Sequence, residues 1–126
     1  MTLVFTLKAI RLKERDETME VNEYQKLALT TMNKELDSRD ILVNSVMGLR
    51  GESGEVIDIV KKHISHGHDL DREKLIYELG DVAWYLAECA YALGISLDEV
   101  LSKNIEKLKA RYPDGFSKEK SINREE

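Results

Sequence analysis

Two pairs of acidic residues, each spaced three apart, are the part of this sequence best suited to chemistry. Glu52 and Glu55 form the first pair, and Glu78 and Asp81 form the second. In an α-helix, residues three apart lie on the same face, so each pair would present two carboxylates side by side. Both pairs border the apolar residues of their segments instead of opposing them. We therefore expect the four carboxylates at the edge of a buried face, where two antiparallel helices would bring them together.

Four carboxylates in one place are unfavourable unless a cation neutralises them or some of them hold protons. Two unit charges about 5 Å apart at an effective dielectric constant near 20 repel by roughly 3 kcal/mol, which is large against the stability of a small domain. Carboxylate oxygens suit Mg²⁺ or Mn²⁺ better than zinc. A di-iron bundle would need Glu-x-x-His pairs, and no histidine follows a glutamate at that spacing. The pattern favours a hard divalent cation, whereas a single pair of this kind is ordinarily a solvated surface.

The elements that must position these acids are helices. Apolar residues recur at three- and four-residue spacing over about 21–36, 40–66, 69–93 and 97–111, and the single proline, Pro113, lies beyond all four segments. This pattern predicts an all-α four-helix bundle with short connections. We expect an N-terminal extension of uncertain structure over 1–20, a helical domain over 21–116 and a charged, flexible tail over 117–126.

Three glycines interrupt the second predicted helix. Gly48, Gly51 and Gly54 each cost roughly 1 kcal/mol relative to alanine in a helix interior. Glycines at this spacing lie along one strip, which allows either the close approach of a neighbouring backbone or room for a ligand.

Composition excludes several classes of function. The chain has 126 residues, enough for one domain, and a formal net charge of −5 with no basic run, which disfavours nucleic-acid binding. Its single cysteine, Cys89, excludes an internal disulfide. No apolar run approaches the roughly 20 residues that cross a bilayer, and the first residues lack the features of a signal peptide. We expect a cytoplasmic protein with no membrane partner.

Three motifs in this order resemble those of one family. They are Gly48-Leu49-x-Gly51-Glu52-x-Gly54-Glu55, then Glu78-Leu79-Gly80-Asp81-Val82-x-Trp84-Tyr85-Leu86, then Asn104-x-x-Lys107-Leu108-x-x-Arg111-Tyr112-Pro113-x-Gly115-Phe116. The set is similar to the MazG-like nucleotide pyrophosphohydrolases of the all-α NTP pyrophosphatase superfamily, whose pattern is E-x-x-E, a spacer, then E-x-x-D. Here the spacer is residues 56–77, or 22 positions. Two features depart from the family: the first 20 residues are extra, and the second domain of full-length MazG proteins is absent from this sequence.

The resemblance implies Mg²⁺-dependent hydrolysis of a nucleoside triphosphate, non-canonical or surplus, to the monophosphate and pyrophosphate, with Mn²⁺ as a possible substitute. It implies that Glu52, Glu55, Glu78 and Asp81 are both metal ligands and catalytic residues. It also implies a homodimer or homotetramer. The residues it assigns to the substrate are Tyr85 against the base, Asn104, Lys107 and Arg111 at sugar and phosphates, and with them Gln25 and Lys62.

The alternative to an enzyme is a non-catalytic helical interaction module whose acids line a solvated groove. The two hypotheses differ in whether Mg²⁺ or Mn²⁺ raises the melting temperature.

Overall fold

The computed structural model describes residues 18–124, and within that range every regular element is a helix. This confirms the predicted all-α class. The elements are α1 (Val21–Ala28), which continues into a 3₁₀ turn (Leu29–Thr31), then α2 (Ser38–Ser65), α3 (Arg72–Ala92), α4 (Leu97–Arg111) and the short α5 (Lys118–Ile122). The extension predicted over 1–20 lies almost entirely outside the described residues, and α5 falls within the predicted tail.

Side-chain caps begin the three long helices. Asp37, Asp71 and Ser96 each accept a hydrogen bond from the backbone N–H three residues further on, at 2.8, 3.0 and 3.1 Å respectively. Such caps satisfy N–H groups that have no partner within the helix. Because the caps lie within three residues of the predicted starts, the sequence located these helices correctly.

The first helix is shorter than predicted. Periodicity indicated 21–36, but α1 ends at Ala28. The Thr30 and Thr31 hydroxyls donate to the carbonyls of Leu27 and Ala28 at 2.6 and 2.8 Å, and the indole N–H of Trp84 also donates to the Ala28 carbonyl at 2.9 Å. The carbonyls that would continue the helix are therefore bound by side chains.

The α2 and α3 helices form the body of the molecule as an antiparallel pair. Gly67, with a φ of 71°, adopts the left-handed conformation just beyond α2, and six residues lead from α2 to α3. The α1 helix lies against α3 and the start of α4. None of the helices within residues 18–124 combines the length and apolar character that a membrane crossing requires.

A buried glutamine joins α1 to the rest of the fold. The Gln25 amide donates to the carbonyls of Ala87 and Ile95 at 3.2 and 3.4 Å, and its oxygen accepts from the backbone N–H of Leu97 at 2.9 Å. The side chain therefore satisfies backbone groups where α3 ends and α4 begins.

The described core is small, and much of the apolar surface is uncovered. The buried apolar residues are Ile41, Ile59, Ala87, Ala90 and Leu97. Only the beginning of α4 packs on the body, because every residue from 101 to 110 is exposed. Leu101, Ile105 and Leu108, which periodicity placed inward, are 43%, 50% and 39% exposed. Their periodicity does mark one apolar face, but no element of residues 18–124 covers it.

The three helical glycines differ in what they contact. A β-carbon on Gly48 would overlap the ring of Tyr85, whereas one on Gly51 or Gly54 would meet nothing within 4 Å. At Gly48 the backbone of α2 is therefore approached closely by a side chain of α3. The other two glycines face open space in the single chain.

We expect Gly48→Ala and Gly51→Ala to change stability in opposite directions. Overpacking against Tyr85 should lower the free energy of unfolding by about 1–3 kcal/mol, reduced by the better helix propensity of alanine. Gly51→Ala should raise it by up to about 1 kcal/mol. Urea unfolding of the two variants beside wild type measures both. A Gly48→Ala protein as stable as Gly51→Ala would contradict the contact with Tyr85.

Candidate metal centre

Three of the four predicted carboxylates converge between α2 and α3. One oxygen each from Glu52, Glu78 and Asp81 lies within 4.8 Å of the other two. Glu52 stands in the middle of α2, and the other two stand one turn apart on α3. The antiparallel packing of the helices brings these side chains together, as their spacing predicted.

The fourth carboxylate, Glu55, lies outside this group. It is exposed, and its oxygens are not within reach of all three others. Its charge still acts on the centre, because Glu55 is among the groups that raise the pKa of Glu52.

The electrostatics of the centre reflect crowded negative charge. The pKa of Glu52 is raised above its usual value, first by a side-chain hydrogen bond with Glu78, then by desolvation and by the charges of Asp81, Glu78 and Glu55. These neighbours favour the protonated form of Glu52 when no cation is bound. A purely carboxylate donor set fits Mg²⁺ or Mn²⁺, whose positive charge would neutralise the crowded acids.

An open cavity of about 320 Å³ adjoins the carboxylates. Thr31, Glu52, Asp81, Trp84 and Tyr85 line it. The Tyr85 ring packs over Gly48 and meets the Trp84 ring edge-on, with centroids 5.0 Å apart. The Trp84 indole is held in turn by the Ala28 carbonyl and by the Thr31 hydroxyl at 2.9 and 3.0 Å. An aromatic ring in a fixed position therefore borders the acidic group.

Two residues of this region were missed in the sequence. Thr31 lines the cavity because the helix before it ends early. The pKa of Tyr24 is raised by burial and then by the negative charge of Asp81. Both belong to the segment around α1, far from the acidic pairs in sequence. The resemblance assigned Gln25 of this segment to the substrate but indicated neither of these two residues.

The other predicted substrate residues lie outside the cavity of the single chain. Gln25 is buried and its amide is engaged within the fold. Lys62 pairs with Asp58 at 2.8 Å, and this hydrogen bond raises the pKa of Lys62 and lowers that of Asp58. Lys107 and Arg111 line a separate cleft of about 470 Å³ between α4 and α5.

Asn104 is exposed on α4. Within residues 18–124, no lysine or arginine side chain lines the carboxylate cavity.

Comparison with known proteins settles the family. The model of the MazG nucleotide pyrophosphohydrolase domain matches residues 42–116, which is more than half of the 126-residue chain. The chain belongs to the MazG family. The match contains all three converging carboxylates, and it confirms the resemblance drawn from the motifs.

One relative of this MazG-family chain is the Gene 37 protein of Mycobacterium phage L5. The two are 37% identical over 92 residues, which cover 70% of this chain and 81% of the phage protein. The name of that relative states no activity. No solved structure gives a significant match to the chain.

The raised pKa of Glu52 predicts how the metal-free protein responds to pH and to substitution. Because the folded state raises the pKa of Glu52, it binds a proton more tightly than the unfolded chain, so the free energy of unfolding falls as pH rises through that interval. In Glu78→Gln an amide replaces the competing carboxylate. We expect this variant, without metal, to be as stable as wild type or more stable by up to about 1 kcal/mol, with a weaker pH dependence.

Urea unfolding with a chelator, repeated over a pH series, measures this. Added Mg²⁺ should stabilise wild type more than Glu78→Gln, since that gain follows the affinity of the site. Glu73→Gln, which removes an exposed acid from the first turn of the same helix, is the matched control. A Glu78→Gln protein that is clearly less stable without metal would show that Glu78 has a structural role instead.

Proposed function

We propose that this chain hydrolyses nucleoside triphosphates to the nucleoside monophosphate and pyrophosphate in a Mg²⁺-dependent reaction. We further propose that it thereby removes non-canonical or surplus nucleotides in the cytoplasm. The observation that carries the proposal is the convergence of Glu52, Glu78 and Asp81 beside an aromatic ring, in a chain of the MazG family. Mn²⁺ is a possible substitute for Mg²⁺.

The reaction needs charge neutralisation and alignment more than a covalent nucleophile. Glu52, Glu78 and Asp81 would hold the cation, with Glu55 next to them on α2 contributing further negative charge. When bound, the cation would neutralise phosphate charge and polarise the phosphoryl group. These acids therefore determine where the triphosphate lies.

Glu52 is the residue we assign to the attacking water. Its carboxylate would orient the water and accept its proton as the new oxygen–phosphorus bond forms and the bond to the pyrophosphate leaving group breaks. The raised pKa of Glu52 supports this assignment, because a base must hold the proton that it accepts.

Any lysine or arginine side chain that contacts the phosphates must come from outside the cavity of one chain. Asn104, Lys107 and Arg111 follow one stripe of α4, whose apolar residues Leu101 and Ile105 are also exposed. We propose that a homodimer or homotetramer covers this apolar face and brings the polar stripe to a substrate. Lys62 and Gln25 have less direct roles, since one pairs with Asp58 and the other supports α1.

Product analysis with a panel of ribo- and deoxyribonucleoside triphosphates tests the reaction. With Mg²⁺ we expect pyrophosphate and the monophosphate, and we expect Asp81→Asn to lower turnover by orders of magnitude, because it removes a ligand from the cation. Asp69→Asn, which removes an exposed acid before α3, should retain wild-type turnover. Release of inorganic phosphate with the diphosphate would exclude the proposed reaction. A chain with no activity and no stabilisation by Mg²⁺ or Mn²⁺ would be the non-catalytic module.

Tyr85 provides a separate test of substrate binding. If its ring stacks on the base, Tyr85→Ala should raise KM by about tenfold or more while kcat changes little. Tyr85→Phe keeps the ring and should behave as wild type. Steady-state kinetics, together with a melting curve for each variant, distinguish these outcomes. Equal losses in both variants would assign the role to the hydroxyl group.

A further inference from the structure

The interface of α2 and α3 continues past the carboxylates in three successive layers. Glu52 faces the acids of α3 in the first layer, Gly48 contacts the Tyr85 ring in the second, and Asn44 meets Glu88 in the third. Four residues of helix rise about 6 Å, so the third layer lies roughly 12 Å from the first along α2. This is comparable to the span of a nucleotide from its phosphates to the far edge of its base.

Glu88 is a buried carboxyl group that the proposed reaction does not use. It is only 1% exposed, and its Oε1 accepts a hydrogen bond from Asn44 Nδ2 at 2.8 Å. Its Oε2 is buried and has no hydrogen-bond partner within residues 18–124. The neighbouring buried hydroxyl of Ser45 does not serve it, because that group donates to the Leu42 carbonyl.

A buried carboxyl oxygen without a donor is costly, and an apolar residue would pack there at lower cost. The acid therefore calls for an explanation other than packing. The geometry offers such an explanation, because the Asn44 side chain, which is hydrogen-bonded to Glu88, lies at the protein surface.

Asn44 is exposed, and Glu88 determines how its amide is turned. A carboxylate oxygen only accepts hydrogen bonds, so it keeps Nδ2 directed inward. The amide oxygen and the second N–H then remain available at the surface, one helical turn from the glycine under Tyr85. An oriented amide beside an aromatic ring can read the edge of a stacked base.

We propose that Asn44 is a specificity residue that hydrogen-bonds the edge of the base, and that Glu88 is its positioning residue. The inference rests on the proposed function. Among bases, it favours those with an exocyclic amino group next to a ring nitrogen, as in cytosine. The amino group donates to the amide oxygen, and the ring nitrogen accepts from the remaining N–H. Uracil held in the same position by the Tyr85 ring would instead set a carbonyl oxygen against the amide oxygen and its ring N–H against the amide N–H.

The test compares cytidine and uridine triphosphates, in ribose and deoxyribose forms, by the ratio of their kcat/KM values. A ratio within one variant is independent of the fraction of protein that is folded, so a loss of stability does not obscure it. Wild type should prefer cytidine by about tenfold or more. In Asn44→Ala and in Glu88→Leu, which removes the acceptor that orients the amide, KM for the cytidine substrate should rise and the ratio should approach one, with kcat little changed. The control, Glu73→Gln, should keep the wild-type ratio.

The outcomes separate this inference from the function on which it rests. If wild type releases no pyrophosphate from any nucleotide, the proposed function and the inference both fall. If wild type is active but the ratio is near one, or is unchanged in both variants, only the inference falls, and Glu88 is a structural residue. A variant too slow to assay is compared by the rise in melting temperature with cytidine and uridine monophosphates. A preference for cytidine retained there would equally overturn the inference.

Discussion

The repulsion among acids at the interface of α2 and α3 is the constraint on which the rest of this structure depends. A small domain gains nothing in stability from placing three carboxylates within 4.8 Å of one another, and this crowding raises the pKa of Glu52. The same arrangement makes a cation the natural occupant. The antiparallel register of the two helices therefore brings the acids together for a cation. The small core contributes little stability to offset their repulsion.

Much of this arrangement was accessible from the sequence because its determinants are local. The caps at Asp37, Asp71 and Ser96 are residue types with a direct physical effect on helix starts, and the three-residue spacing of the acids places each pair on one face. The all-α class and the family follow from such features. What they do not determine is the rotation of each helix about its axis, which decides that Glu52 enters the centre and Glu55 stays outside.

The features that the sequence did not indicate depend on contacts between distant segments. The end of α1 is determined by threonine hydroxyls and by the indole of Trp84, from another helix. The apolar face of α4 was recognised, but periodicity shows only that a face is apolar and not what covers it. The buried acid Glu88 also gave no signal, because in sequence it is one more polar residue in an amphipathic helix.

The attachment of α1 has a consequence for local unfolding. This helix has eight residues, too few to be stable alone, and its long-range hydrogen bonds are those of Gln25, Asn22 and the Trp84 indole. It can therefore detach while α2 and α3 remain paired, as a cooperative unit of lower stability than the whole domain. Because Thr31 lies in the turn that continues α1, such an opening would remove this residue from the cavity wall and leave the acids in place. We therefore expect access to the site to depend on the local stability of α1.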